Sequence, residues 1–263
     1  MYLNHFKMKL HPFTEPAPMG MILEDLRLSE ALARLNYLAS QGTIGLLTGP
    51  AGVGKSTLLR MFLHSLPANR YRPVYIHLTH VNANALLRLL VMGLGEMPAR
   101  GREKLLIQIL QCADKTEACT LLVIDEAHLL EADSLIDLKL LANAGLKDRS
   151  PVKILLCGQE TLRDHLRRQC HIDLAQRISV QSRLYALSSD QTAAYIDYQM
   201  TQAGSSDRIF ATEAKSMIYE YAGGICRKIN NAATACLMNA AGRNQTVINE
   251  DLVNQTMSEL HLP

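Results

Sequence analysis

The chain has 263 residues, long enough for a large core in one large domain or a large one with a small one, and its make-up is that of a soluble globular protein: 48% apolar, 20% charged, mean hydropathy +0.01. No apolar run approaches the roughly 20 residues of a membrane span, and the N-terminus lacks a basic-then-apolar leader, so no integral membrane segment is expected and the cytoplasm is the expected compartment. Net charge is +2, which alone says little about nucleic acid. Its distribution says more: residues 186–263 carry 5 Lys/Arg against 8 Asp/Glu, leaving 22 against 17 for residues 1–185, so the front part is the better partner for DNA. The six cysteines (112, 119, 157, 170, 226, 236) form no C-x-x-C pair and no zinc spacing, and read as reduced thiols.

Residues 1–27, with Pro12, Pro16, Pro18, Phe6 and Phe13, read as an irregular lead-in packing over the site described below. Leu28, Leu32, Leu35 and Leu38 mark a helix over 27–39, ended near Gly42. Ile44–Thr48 is a short buried strand; after the loop that follows, Leu58, Leu59, Met61, Phe62 and Leu66 recur at helical spacing up to Pro67. Pro73–Leu78 reads as a second strand and Leu86–Leu94 as a helix closed by Gly95. Arg100-Gly101-Arg102 punctuates before Leu105, Leu106, Ile109 and Leu110 resume the helical period. Thr120–Ile124 is a third strand, Ser134–Leu146 a helix, Val152–Cys157 a fourth strand, Thr161–Arg168 a short polar helix, and a fifth strand lies within Ile178–Leu187. Strands alternating with helices predict an α/β domain whose parallel sheet is covered on both faces. Beyond Leu187 only helices are expected: one capped by Ser189 or Asp190, one by Thr212, one from Arg227, and a last one capped by Asn249. The expected division is 1–27 lead-in, 28–187 α/β core and 188–263 helical lid.

Gly49-Pro50-Ala51-Gly52-Val53-Gly54-Lys55-Ser56-Thr57 fits G-x-x-x-x-G-K-[S/T], placed between a strand and a helix. Glycines let backbone N–H groups face phosphate oxygens, and the helix N-terminus adds partial positive charge. Lys55 is expected to reach the β- and γ-phosphates and the Ser56 hydroxyl to ligate Mg²⁺. Leu121-Leu122-Val123-Ile124 feeds Asp125 and Glu126 at a strand's carboxyl end, where Asp125 can order the metal's water shell and Glu126 can polarise an attacking water. Together the two motifs favour hydrolysis over binding alone. Asp125-Glu126-Ala127-His128 also spells a helicase box, but that reading needs a second motor domain for which the chain has no room, so His128 reads as a structural residue at a helix start. The Ser-Gly-Gly signature of transporter ATPases is absent.

A phosphate-loop kinase and an oligomeric ATPase both remain open at this point. Gln159 ends the fourth strand, where its amide is placed to touch a γ-phosphate or the water, against the plainer reading of a loop glutamine. Arg227, in Gly223-Gly224-Ile225-Cys226-Arg227, starts a helix and can reach back to phosphates. Arg177 lies just before the fifth strand, where it can point at a neighbour's nucleotide, with Arg167 and Arg168 as nearby competitors.

This combination resembles an AAA+ ATPase. Pro12-Phe13, Leu156-Cys157-Gly158-Gln159-Glu160-Thr161-Leu162-Arg163 and Gly223-Gly224-Ile225-Cys226-Arg227-Lys228-Ile229-Asn230 resemble more narrowly the ExeA-like, or general secretion pathway protein A-like, group. The resemblance covers roughly residues 2–245; Cys226 stands where that group commonly has proline. It implies a five-stranded sheet of order 5-1-4-3-2, a small all-helical lid and ATP with Mg²⁺ between them. It also implies Gln159 as sensor 1, Arg227 as sensor 2, Arg177 as a finger acting in trans, and a homo-oligomeric ring or helical filament. Secretion members continue into a membrane span and a periplasmic domain, and this chain stops at Pro263. It therefore resembles the stand-alone ATPases of the MuB, TniB and TnsC type, which implies ATP-dependent oligomers on double-stranded DNA, a DDE-type transposase as partner, and regulation of transposition. Arg88, Arg100, Arg102 and Lys104 follow the second strand, which commonly lines the central channel in the family, and are the expected DNA contacts. The rivals are a secretion- or pilus-assembly ATPase and a replication initiator or helicase loader.

Overall fold

The apolar runs of the sequence become five parallel strands: β1 Ile44–Thr48, β2 Tyr71–His77, β3 Cys119–Asp125, β4 Val152–Gly158 and β5 Ile178–Arg183. Their order is β2-β3-β4-β1-β5, the expected order read from the other edge. They are seen in a computed structural model that describes residues 2–77, 81–144, 152–205 and 208–260. Leu78 of the expected second strand, and residues 145 and 146 of the expected helix from Ser134, lie outside the described residues.

The helices are, in chain order, α1 Tyr2–His5, α2 Leu26–Ser40, α3 Lys55–Ser65, α4 Ala83–Gly93, α5 Arg102–Asp114 and α6 Ala132–Asn143. They continue with α7 Thr161–Leu166, α8 Ile172–Gln176, α9 Ser189–Gln202, α10 Thr212–Ala222, α11 Cys226–Gly242 and α12 Glu250–Leu260. The chain divides into two compact units, residues 26–49 with 58–184, and residues 1–25 with 50–57 and 185–263.

The first unit holds the sheet. Its strand patterns follow from position. All five residues of β1 are buried, as are six of seven in β3, because both are flanked by strands and covered on both faces. Edge strands β2 and β5 alternate between buried and exposed positions, the pattern of a strand with one face against the core. Leu46, Leu122, Ile124, Ile154 and Leu156 share one core cluster with Leu86, Leu87 and Leu90 of α4, Leu105 and Ile109 of α5, and Leu135 and Leu138 of α6. Burying a side chain of this size contributes about 1.5–3 kcal/mol. One face of the sheet is thus coated by α4, α5 and α6, while α2, which precedes β1, packs on the other through Leu38 beside Gly45.

In the second unit α9 to α12 bury Ile196, Ile218, Ile229, Leu237 and Val253 together. The N-terminal segment is more ordered than its prolines suggest: α1 forms, a 3-10 turn covers Met19–Met21, and Tyr2, Phe6 and Met8 join the helical core. The cap of α9 is Ser188, one residue earlier than expected. Its hydroxyl accepts from the Gln191 N–H while the Gln191 side chain accepts from the Ser188 N–H, a reciprocal capping box. Thr212 is the first residue of α10 and makes no side-chain cap, whereas the Asn249 side chain accepts from the Leu252 N–H, as expected.

Gly223 and Gly224 separate α10 from α11 at φ of 59° and 72°, a left-handed pair that L side chains resist. Gly224 has a further reason to lack a side chain. A Cβ there would lie 2.0 Å from the Leu187 carbonyl oxygen, while the Leu187 N–H donates to the Gly224 carbonyl at 2.9 Å. Gly224→Ala is expected to destabilise the protein by about 2–4 kcal/mol, combining overpacking with left-handed strain. A urea or thermal unfolding midpoint indistinguishable from the unaltered chain would contradict this.

Candidate functional site

The loop between β1 and α3 departs from the carboxyl end of a buried strand, where Thr48 is followed by Gly49. Gly52 and Gly54 take φ of 75° and 112°, so the loop turns its backbone as only glycines do without strain. Lys55 is buried at 5% exposure and its Nζ donates to the Pro50 carbonyl at 2.9 Å. The loop thus folds around its own cation, the position from which an ammonium can turn toward phosphate oxygens. Ser56, on the first turn of α3, is exposed. Loop residues 50–57 belong to the helical unit, and the bonds that tie them there come from α11. The Arg227 N–H donates to the Gly52 carbonyl at 3.1 Å and the Cys226 thiol to the Val53 carbonyl at 3.6 Å. A Cβ on Gly52 would lie 2.9 Å from the Arg227 Cβ, so the glycine also makes room for the helix. Cys226 is the first residue of α11, a position that accepts proline, but a proline has no thiol with which to reach the loop.

In the sheet unit, Asp125 ends β3 at 1% exposure. Burying a carboxylate is costly unless donors surround it, and two hydrogen-bond donors and a nearby imidazole meet it here. The Tyr75 hydroxyl donates to Oδ2 at 2.8 Å, the Glu126 N–H donates to Oδ1 at 2.9 Å, and the His77 Nδ1 lies 3.5 Å from Oδ2. Register puts His77 opposite Asp125. Burial, reinforced by the Asp125 carboxylate, holds the Tyr75 phenol well above its usual range, so it remains a donor. Glu126 adopts a left-handed φ of 56°, uncommon for a residue with a side chain, and starts the 3-10 turn Ala127–Leu129. Its Oε2 lies 3.3 Å from the His128 Nδ1, and the same nitrogen is 3.4 Å from the Gln159 N–H just past β4. The His128 ring thus lies between Glu126 and the end of β4, where its Nδ1 bonds one of them at a time.

Arg177 caps α8 and is exposed at the opposite edge of the sheet, lining a hollow with Thr43, Ile44, Ala142 and Asn143. It makes no ion pair among the described residues. Arg167 pairs with Asp164 at 3.6 Å.

Of the four expected DNA contacts, Arg88 on α4, Arg100 before α5 and Lys104 on α5 are exposed. Arg102 is otherwise engaged. Its Nε donates to both oxygens of Asp137 at 3.0 and 2.9 Å, and its Nη2 to the Asp133 carbonyl at 3.2 Å. Asp137 is 1% exposed, so Arg102 neutralises a buried carboxylate and leaves the set of free cations. The Asp137 carboxylate in turn holds the guanidinium above its usual pKa. The signal was available in sequence only as an acid on the next helix, with nothing to mark it as buried. Sequence reading also missed Tyr75 and His77, which touch Asp125 through strand register rather than through chain proximity.

An AAA domain family model matches residues 38–166. General secretion pathway protein A of Aeromonas hydrophila is 31% identical over 255 residues, 92% of this chain and 45% of that protein, so this chain spans less than half the length of that relative. Cdc6p from Pyrobaculum aerophilum superposes with a TM-score of 0.75 at 18% identity, over 94% of this chain and 70% of that one. Drosophila ORC bound to DNA superposes with a TM-score of 0.74 at 14% identity, over 100% of this chain and 66% of that one. Sheet order, phosphate loop and appended helices are those of the AAA+ ATPases. Within that class, the chain is similar to general secretion pathway protein A. No helix among the described residues is long and apolar enough to cross a membrane.

Removing the Arg102 side chain leaves Asp137 as an uncompensated buried carboxylate, so Arg102→Ala is expected to cost about 1–3 kcal/mol of stability. Chemical denaturation of this variant beside Arg100→Ala, which is expected to unfold like the unaltered protein, checks the assignment.

Proposed function

We propose that the chain hydrolyses ATP and does so as a ring or helical filament of identical subunits. The observation that carries this reading is the position of Arg177. In β1 and β5, Ile44 pairs with Ile178 and Thr48 with Arg183. Arg177 thus stands at the Ile44 edge, while the phosphate loop leaves from the Thr48 edge. Five residues of strand separate them, roughly 16 Å, more than an arginine side chain spans. A guanidinium at the edge remote from Asp125 and Glu126 supports a role in completing the nucleotide site of an adjoining copy.

In this reading the loop N–H groups and Lys55 hold the β- and γ-phosphates, and the Ser56 hydroxyl and Asp125 hold Mg²⁺, Asp125 through its water shell. The donor set fits: an exposed hydroxyl at a helix start and a buried carboxylate held by hydrogen-bond donors, with phosphate oxygens completing the hard ligand shell. Bound Mg²⁺ supplies neutralisation of charge on the transferring phosphoryl group. Glu126 polarises the attacking water, Gln159 lies within reach of the water or γ-phosphate, Arg227 answers the phosphates, and Arg177 arrives from the neighbour. Arginine fingers are worth about 10³–10⁵ in rate, so Arg177→Ala is expected to lower the assembled protein's turnover by at least about 10² and to abolish its dependence on protein concentration. Turnover equal to the unaltered chain at every concentration sinks the trans arrangement. Glu126→Gln is expected to retain ATP while slowing hydrolysis by about 10²–10⁴. Single-turnover kinetics beside a binding titration separates the two effects.

As client we propose duplex DNA, with a DDE-type transposase as partner and a cytoplasmic, transposition-regulating role. Exposed Arg88, Arg100 and Lys104 support it, as does the resemblance to the MuB, TniB and TnsC type. A second reading, an ATPase of secretion machinery, is supported by the likeness to general secretion pathway protein A. A third, an initiator or helicase loader, has only a shared fold in its support. Electron microscopy of the purified protein with ATP, with and without duplex DNA, decides: filaments or rings that need both ligands favour the DNA client, and particles indifferent to DNA favour secretion. Charge reversal of Arg88, Arg100 and Lys104 is expected to abolish salt-sensitive DNA retention in a gel shift while sparing ATP binding. Retention at the unaltered level removes these residues from the DNA reading.

A further inference from the structure

Arg227 has a fixed backbone and a shared guanidinium. Its N–H is held by the Gly52 carbonyl, which leaves the side chain as the adjustable part. That side chain is met by a carboxylate from far away in the chain: the Arg227 Nε donates to Glu15 Oε2 at 3.1 Å. Glu15 Oε1 accepts from Asn230 Nδ2 at 3.1 Å, and Asn230 Oδ1 accepts from the Tyr195 hydroxyl at 2.8 Å. Every donor in this series meets an acceptor, and the Asn230 amide has only one orientation that satisfies both of its neighbours. Asn230 is 6% exposed and sits one turn beyond Arg227 on α11, so the series is rooted in the helical core. Burial holds the Tyr195 phenol well above its usual range, so it stays a donor.

The point of contact on the guanidinium matters. Arg227 is held at Nε, and among the described residues its Nη1 and Nη2 have no hydrogen-bond or ion-pair partner. Those two nitrogens form the fork that recognises phosphate in a two-point geometry. We propose that Glu15 is a positioning residue, which with Asn230 and Tyr195 grips Arg227 by Nε and presents its Nη1–Nη2 fork to the phosphates of a nucleotide in the loop. This rests on the phosphate role given to Arg227 above and deepens it. An acid beside a phosphate-seeking arginine also has a cost, since it cancels charge. Here that cost is small: both side chains of the pair are largely solvated, at 63% and 43% exposure, and water screens the repulsion. Orientation is the larger effect, because a free arginine carries as much rotamer freedom as any side chain.

The test is a binding titration of ATP and of ADP on the full chain without turnover, for the unaltered protein, Arg227→Ala, Glu15→Ala, Glu15→Gln and the Arg227→Ala/Glu15→Ala double variant. Arg227→Ala is expected to reduce the preference for ATP over ADP. Glu15→Ala is expected to reduce it in the same direction by about two- to five-fold, the range of an exposed ion pair. Glu15→Gln restores part of it, because an amide oxygen still accepts from Nε. The double variant is expected to behave as Arg227→Ala alone, which a generally structural role for Glu15 would not produce. Glu15→Ala that tightens ATP binding makes Glu15 a competitor of phosphate and overturns the proposal. Equal ATP preference in Glu15→Ala and the unaltered chain, or additive losses in the double variant, overturn it as well. If Arg227→Ala itself leaves the ATP preference unchanged, the reading of Arg227 falls first, and the two failures are told apart.

Discussion

Parallel pairing is the constraint from which the rest follows. Strands that all run one way bring their carboxyl ends to one edge, and that edge collects Thr48, His77, Asp125, Gly158 and Arg183 from five separate stretches of sequence. The price of such pairing is a crossover between successive strands; α4, α5 and α6 from those crossovers coat one face and α2 packs on the other, and without such coats β1, β3 and β4 have nowhere to bury their side chains. Because chemistry gathers at one edge, the opposite edge is free for other uses, and Arg177 stands there without an ion-pair partner among the described residues.

Much of this was legible in the residues. Continuous apolar runs marked β1, β3 and β4 because a strand buried on both faces has no polar side, and the glycine spacing around Lys55 marked a loop that turns through left-handed backbone at Gly52 and Gly54. Sheet order came through resemblance rather than periodicity, since no local pattern tells a strand which neighbour it will find. Caps were legible to within a residue: Ser188 rather than Ser189, for which the decisive signal was Gln191 three positions on. The short helices α1 and α8 were missed because four and five residues carry too little periodicity to register.

What sequence could not supply were contacts that depend on register or on a distant segment. Tyr75 and His77 reach Asp125 because β2 pairs with β3 in one register, and a slip of one residue would turn Tyr75 to the other face. Arg102 looked like a spare cation because burial of Asp137 is a property of the packed helices, invisible in a list of charges. Glu15 looked like one acid among prolines, and only the folded N-terminal segment brings it to Arg227.

The close approach of Gly52 to Arg227 has a consequence for how such a sequence can drift. Position 52 has no space for a methyl group because the stem of residue 227 fills it, and residue 227 cannot move aside while its amide is bonded to that same loop. The two positions are thus joined in heredity as well as in space: position 52 is held to glycine twice over, by its left-handed backbone and by the stem of residue 227, and a loop borrowed from a cousin is compatible only if it keeps that glycine.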